Sequence, residues 1–238
     1  TTLFCEYGIL YSAVYGVYPG FKGGKPADVS FIMYVSDSIE NGVKNLRKNV
    51  EFRYEKSDFL KKYLPDVKFT DTRMEFTNAS GHKFTVIGYG ALTGIRGAKV
   101  GGSRPQVALL DDLISDEDAK SATVINDIKN TIYKAVSQAL HPTRRKIVWC
   151  GTPFNKKDPL YEAVESGAWN VNVFPVCERF PCRREEFYGA WEDRFTYDHL
   201  LHQWAKSKAN GRISAFNQEL LLKILSDDER LVSDSEIQ

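Results

Sequence analysis

The sequence predicts an α/β domain, with a mostly parallel sheet flanked by helices, followed by a small helical subdomain. Three observations carry that expectation. Short apolar runs rich in β-forming residues recur at Val29 to Val35, Val107 to Leu110 and Ile147 to Cys150, the pattern of strands buried on both faces. Each is followed by a helical signal, so strand and helix alternate as in a parallel α/β sheet. From about residue 175 the alternation stops at Pro175, Pro181 and the charged Arg183-Arg184-Glu185-Glu186, and two amphipathic stretches follow, about 196 to 209 and 212 to 224.

In order along the chain, Leu3 to Tyr18 is apolar and aromatic, and it carries Glu6 with no basic segment before it. It reads as a buried helix rather than a signal peptide, with Tyr11, Tyr15 and Tyr18 belonging to its packing. Pro19-Gly20 and Gly23-Gly24-Lys25-Pro26 stop it. After the first strand, Ile39, Val43, Leu46 and Val50 recur at the spacing of one helical face. Arg73 to Thr77 and Lys83 to Ile87 flank Asn78-Ala79-Ser80-Gly81-His82 and read as a hairpin. A glycine-dense loop is expected over Gly88 to Arg104. Ile125, Ile128, Ile132 and Val136 mark another helix, closed by His141-Pro142. Asp158-Pro159 opens a short one, with a favoured N-cap and a proline at the first helical position.

Composition narrows the function classes. The 238 residues hold 32 Lys+Arg against 31 Asp+Glu, with 42% hydrophobic and 13% aromatic residues, which excludes disordered and collagen-like chains. Cys5, Cys150, Cys177 and Cys182 form no C-x-x-C pair, so reduced cysteines in an intracellular protein are expected. No run reaches the roughly 18 apolar residues of a membrane-spanning helix. A net charge of +1 does not by itself call for a nucleic-acid partner. The chain begins Thr1-Thr2 rather than with Met, as expected of a fragment.

Four features bear on chemistry. Val107-Ala108-Leu109-Leu110 runs into Asp111-Asp112, and adjacent carboxylates at the C-terminal tip of a parallel strand can hold a hydrated magnesium ion and orient an attacking water. The same pattern fits a strand leaving the core at a solvated turn. Thr1-Thr2 leading into an apolar helix is what remains of a phosphate-binding loop cut after its lysine, though two threonines alone carry no such meaning. Gly151-Thr152-Pro153 directly after a strand offers a hydroxyl to a γ-phosphate, or is merely a turn. Arg96 and Arg104 sit on the glycine-dense loop, where an arginine can reach a phosphate across a subunit boundary or simply be solvated.

Together these features resemble the ATPase domain of the large terminase subunit of tailed double-stranded DNA bacteriophages. The resemblance rests on Leu92-Thr93-Gly94-Ile95-Arg96-Gly97, on Gly102-Ser103-Arg104-Pro105-Gln106-Val107-Ala108-Leu109-Leu110-Asp111-Asp112 and on Trp149-Cys150-Gly151-Thr152-Pro153-Phe154. Phe216-Asn217-Gln218-Glu219 is similar to the stretch closing that family's lid. The resemblance implies a P-loop NTPase core of RecA-like type over 1–174, with its phosphate loop upstream of Thr1, and a helical lid and linker over 175–238. It implies ATP and Mg²⁺ as cofactors, with Thr1 and Asp111 on the metal and Thr1, Thr2 and Thr152 near the phosphates. Asp112 would polarise the water, where many relatives have Glu, and Arg96 would be a finger acting in trans, with Arg104 in reserve. Implied partners are double-stranded DNA, the portal protein of the procapsid, the small terminase subunit and further copies in a homo-oligomeric ring, in the cytoplasm of an infected bacterium with no membrane involved. The family's nuclease domain is not expected within these residues. Two other readings stay open: another P-loop nucleic-acid motor of helicase type, and a non-hydrolysing module that binds DNA or docks on the portal.

His199 and His202 lie three apart with no nearby third zinc ligand, so a surface pair is expected. Lys61-Lys62, Arg144-Arg145-Lys146 and Arg183-Arg184 suit phosphate contacts or solvated helix ends and strand flanks, with the latter favoured.

Overall fold

The computed structural model describes residues 2–93, 95, 98–115 and 117–223. Two compact units divide the chain, Thr1–Gly151 and Thr152–Gln238. The first carries a six-stranded sheet in the order β4-β5-β6-β3-β7-β8, flanked by helices. The mixed α/β class and the mostly parallel sheet are as the sequence predicts.

A π-helical turn, Thr2–Tyr7, runs into α1, Gly8–Tyr15. Its inner face buries Cys5, Glu6, Ile9, Leu10 and Ala13, while Leu3, Phe4, Tyr7, Tyr11 and Tyr15 lie exposed. The expected buried helix is therefore buried on one side and exposed on the other. Tyr11 and Tyr15 stack on each other with centroids 4.8 Å apart, and only Tyr18 of the three tyrosines enters the core. β1, Val17–Tyr18, pairs antiparallel with β2, Ala27–Asp28.

β3, Phe31–Ser36, is buried along its whole length, as a central parallel strand must be when both faces are covered. A second π-helical turn, Ile39–Val43, leads into α2, Lys44–Glu55, and the Ser38 side chain caps the turn by accepting from the Asn41 backbone N–H. Val43, Leu46 and Val50 point inward, as their spacing predicts. α3, Asp58–Tyr63, is capped by Ser57 and leads to β4, Asp66–Phe69. β4 pairs antiparallel with β5, Arg73–Thr77, and β5 pairs antiparallel with β6, Lys83–Gly90, so the expected hairpin is present. Gly88 and Gly90 belong to β6 rather than to the glycine-dense loop. A Cβ on Gly88 would stand 2.1 Å from Val43 Cγ1, so the bare glycine lets the turn at Ile39–Val43 settle onto the sheet.

β3 runs parallel to both β6 and β7, Val107–Asp111, and β7 runs parallel to β8, Lys146–Cys150. Ile32, Tyr34, Val107 and Leu109 share one core with α1 and α2. Met33, Val35, Ala108 and Leu110 alternate to the other side and are equally buried. α4, Ala122–Asn130, continues through a π-helical turn, Thr131–Val136, into α5, Ser137–Ala139. The four apolar positions predicted for this helix are all buried.

The second unit holds α6, Pro159–Glu165, α7, Tyr197–Ala209, and α8, Ile213–Leu221. Asp158 caps α6, with Pro159 at its first position, and Thr196 caps α7. Cys177, Phe180, Leu200, Phe216 and Leu221 form this unit's own core. Phe180 meets Tyr197 and Phe216 at centroid distances of 5.8 and 5.9 Å.

Candidate functional site

Every parallel strand of an α/β sheet delivers its C-terminal residues to the same edge, where the chain turns out of the core and leaves a crevice. Here β3 ends in Ser36-Asp37 and β7 in Asp111-Asp112, and these four residues line a cleft of about 300 Å³. Its other walls come from Glu6 on the first helical turn and from Asn41, Gly42, Asn45 and Asn49 on the helix after β3. The three asparagines stand four residues apart, which stacks them on one helical face.

The adjacent carboxylates occupy different environments. Asp111 is the last residue of β7, 3% exposed, and its Oδ2 accepts from the Tyr34 hydroxyl at 2.9 Å. Burial, then the Asp111 charge, push the Tyr34 hydroxyl well above its ordinary pKa, so Tyr34 keeps its proton and remains a donor. Asp112 is exposed and adopts φ of 43°, a left-handed conformation that an L-residue adopts at a cost and that clusters at functional positions. Its backbone N–H donates to the Cys150 carbonyl at 3.2 Å. That bond carries the β7–β8 ladder one residue beyond the strand and holds the turn.

The opposite side of the cleft is also built. Glu6 is buried beside Arg53, whose Nε donates to Oε2 at 2.5 Å, and Asn49 Nδ2 donates to Oε1 at 3.2 Å. Arg53 in turn lies over the Tyr7 ring, 4.5 Å from its centroid. Gly42 faces Ser36 so closely that a Cβ would lie 2.0 Å from Ser36 Oγ. Ser36 Oγ and Ser38 Oγ both donate to Asp37, each at 3.2 Å.

Behind Asp111 stand two cysteines. Register sets Asp111 opposite Cys150, and Cys5 arrives from the first helical turn. The Cys5 thiol is pushed far above its ordinary range, first by its hydrogen bond to Cys150 and then by burial and the Asp111 charge. The same hydrogen bond pulls Cys150 below its ordinary value.

The remaining residues singled out from sequence fall as follows. Thr1 and Arg96 lie outside the described residues. Thr2 is exposed at the start of the first helical turn. Thr152 is half-buried, follows β8 without regular structure and begins the second unit. Arg104 is engaged within its own chain, its Nη1 donating to the carbonyls of Gln138 at 2.7 Å and Ala139 at 3.4 Å. Gln106 is structural too, since its Oε1 accepts from the backbone N–H groups of Phe31 at 2.9 Å and Ser30 at 3.2 Å and fixes β3 beside β7. His199 and His202 are both exposed on α7. Lys146 Nζ donates to the Gly20 carbonyl, Arg184 pairs with Asp198, and Arg144 and Arg145 are exposed.

Sequence reasoning missed Cys5, Glu6, Tyr34, Ser36, Asp37 and the asparagine row as members of this site. Only the asparagines carried a local signal, in their four-residue spacing. No model of a known protein family matches the chain, and no curated protein matches it. Among the described residues, no helix is long and apolar enough to cross a membrane.

Proposed function

We propose that the chain is the ATPase motor domain of a viral DNA-packaging terminase, coupling ATP hydrolysis to translocation of double-stranded DNA into a procapsid. The observation that carries this reading is the Asp111-Asp112 pair at the tip of a buried parallel strand, opening on a polar cleft, with one carboxylate buried and the next exposed on a left-handed backbone. The ordered resemblance from Leu92 to Phe154 adds to it.

Magnesium suits the oxygen-rich part of this cleft, because a small hard cation takes carboxylate and hydroxyl ligands and keeps several waters. Asp111 would hold it together with the Thr1 hydroxyl, Thr2 lying next to it. When bound, the ion neutralises charge on the β- and γ-phosphates. The protein's own part is mainly placement. Tyr34 fixes the Asp111 carboxylate through its hydroxyl. Asp112, exposed to solvent, orients a water for in-line attack and accepts its proton. Arg96 would act as a finger from a neighbouring subunit, which calls for a ring, and Thr152 would contact the γ-phosphate and report its hydrolysis to neighbouring elements. The phosphate loop this reading requires would precede Thr1. Portal protein and small terminase subunit are the proposed partners, and the cytoplasm of an infected bacterium the proposed setting.

The test is steady-state ATP hydrolysis by the complete polypeptide, with and without double-stranded DNA, comparing wild type with Asp112→Asn. DNA-responsive turnover that falls about 10²-fold or more in the variant is expected. Turnover untouched by the substitution would remove Asp112 from catalysis, and no turnover in either protein would favour a non-hydrolysing docking module.

A further inference from the structure

Three ligand-type side chains from three separate elements converge beneath the cleft. One sulfur each from Cys5 and Cys150 and one carboxylate oxygen of Asp111 all lie within 4.8 Å of one another. Cys5 and Asp111 are buried and Cys150 is half-buried. Two of the three are fixed relative to each other by the β7–β8 ladder, and the Tyr34 hydroxyl fixes the carboxylate. We infer that Cys5, Asp111 and Cys150 form a binding site for a thiophilic divalent cation of the zinc class.

The geometry is close to what such an ion needs. Metal–sulfur bonds of about 2.3 Å and metal–oxygen bonds of about 2.1 Å place tetrahedral ligands about 3.5 to 3.8 Å apart. The cluster must therefore contract by at most about 1 Å at its widest. Donor chemistry decides the class of ion: two sulfurs and one carboxylate form a soft set that magnesium does not take and zinc or cadmium does. On binding, two S–H bonds break, two metal–sulfur bonds form and two protons leave to solvent, while Asp111 contributes one carboxylate oxygen. Water completes the fourth position.

One consequence rests on the proposed function. Asp111 is the carboxylate assigned there to magnesium, so occupancy of the sulfur site takes it away from the nucleotide, and the site is inhibitory. Metal binding itself does not depend on that reading.

The experiment titrates the chain, kept reduced with a phosphine, with cadmium chloride alone and follows thiolate-to-cadmium charge-transfer absorbance. A saturable band is expected that is abolished in Cys5→Ser and in Cys150→Ser and retained in the Cys177→Ser, Cys182→Ser double variant. Asp111→Asn is expected to weaken binding about tenfold or more. A band that survives Cys5→Ser, or that is lost with Cys177 and Cys182, overturns the assignment. Wild-type protein provides a check independent of variant folding, since cadmium should shield Cys150 from alkylation, and unchanged labelling would equally overturn it. Zinc should then stop ATP turnover in the complete polypeptide but not in its Cys150→Ser form. Binding with undiminished turnover would keep the metal site and count against Asp111 as the magnesium carboxylate.

Discussion

Arg104 illustrates how one residue can fit two jobs by sequence and be committed to one by its contacts. Its guanidinium donates to the Gln138 and Ala139 carbonyls, which are orphan acceptors at the end of a helix where the macrodipole also favours a cation. A charge-assisted cap of this kind contributes about 1 kcal/mol. Arg104→Ala is therefore expected to lower stability by about that amount in denaturant unfolding, with the ATP turnover proposed above essentially kept per folded molecule. Unchanged stability with lost turnover would return Arg104 to the role of finger. Asp111 and Asp112 show the opposite case. Their position was legible, because an apolar run of strand length ending in two carboxylates marks a strand tip, but their division into a buried and an exposed group was not. That division comes from Tyr34 on the neighbouring strand and from the left-handed backbone at Asp112, neither of which leaves a trace in the local sequence. Cys5 and Cys150 are less legible still, since they meet only after a helix and the last strand have been placed against the sheet.

Among elements, the central strands were the most readable, the half-buried edge strand β8 was readable too, and the short outer β4 and α3 were not. β3 and β7 stand out because their buried residues are apolar up to the last one, Ser36 and Asp111. β4 is a short outer strand with charged residues on its open positions, Asp66 and Lys68, and α3 has six residues, none of them buried. Neither leaves a periodic apolar signal. The first helix misleads for a different reason, because Leu3, Tyr7, Tyr11 and Tyr15 make its outer face as apolar as its inner one. The cap of α6 was legible and carries a pH dependence. Asp158 is buried, and although it accepts from the backbone N–H groups of Phe154 and Leu160, desolvation outweighs these bonds and raises its pKa. The folded state then holds this proton more tightly than the unfolded chain does. Its favourable contribution is full below the ordinary aspartate value of about 3.9 and is lost as pH rises through the folded value. Asp158→Asn keeps an acceptor at the cap but has nothing to titrate. The stability of wild type relative to this variant should thus be greater at about pH 4 than at about pH 7, read from paired denaturant melts. A difference that is constant, or that grows with pH, would show that hydrogen bonding dominates instead.

At the scale of the whole molecule, each unit supplies its own apolar core. The first gathers Ile9, Ile32, Tyr34, Leu46, Val107 and Leu109 around the sheet, and the second gathers Phe180, Leu200, Phe216 and Leu221 around α7 and α8. Phe216 opens the stretch that resembles a terminase lid, and its place in that core gives the stretch a packing role. Separate cores predict separate opening. Leu200 is fully buried, so Leu200→Ala should remove about 2 to 5 kcal/mol, as other buried leucine truncations do. If the units open independently, amide exchange over 176–221 accelerates while the amides of β3 and β7 keep their protection. The Cys5–Asp111–Cys150 cluster, lying wholly in the first unit, should then bind cadmium as tightly as before. Equal acceleration in β7 would mean that the two cores unfold as one, and that the sheet and the helices of the second unit are already coupled in the stability of the unliganded chain.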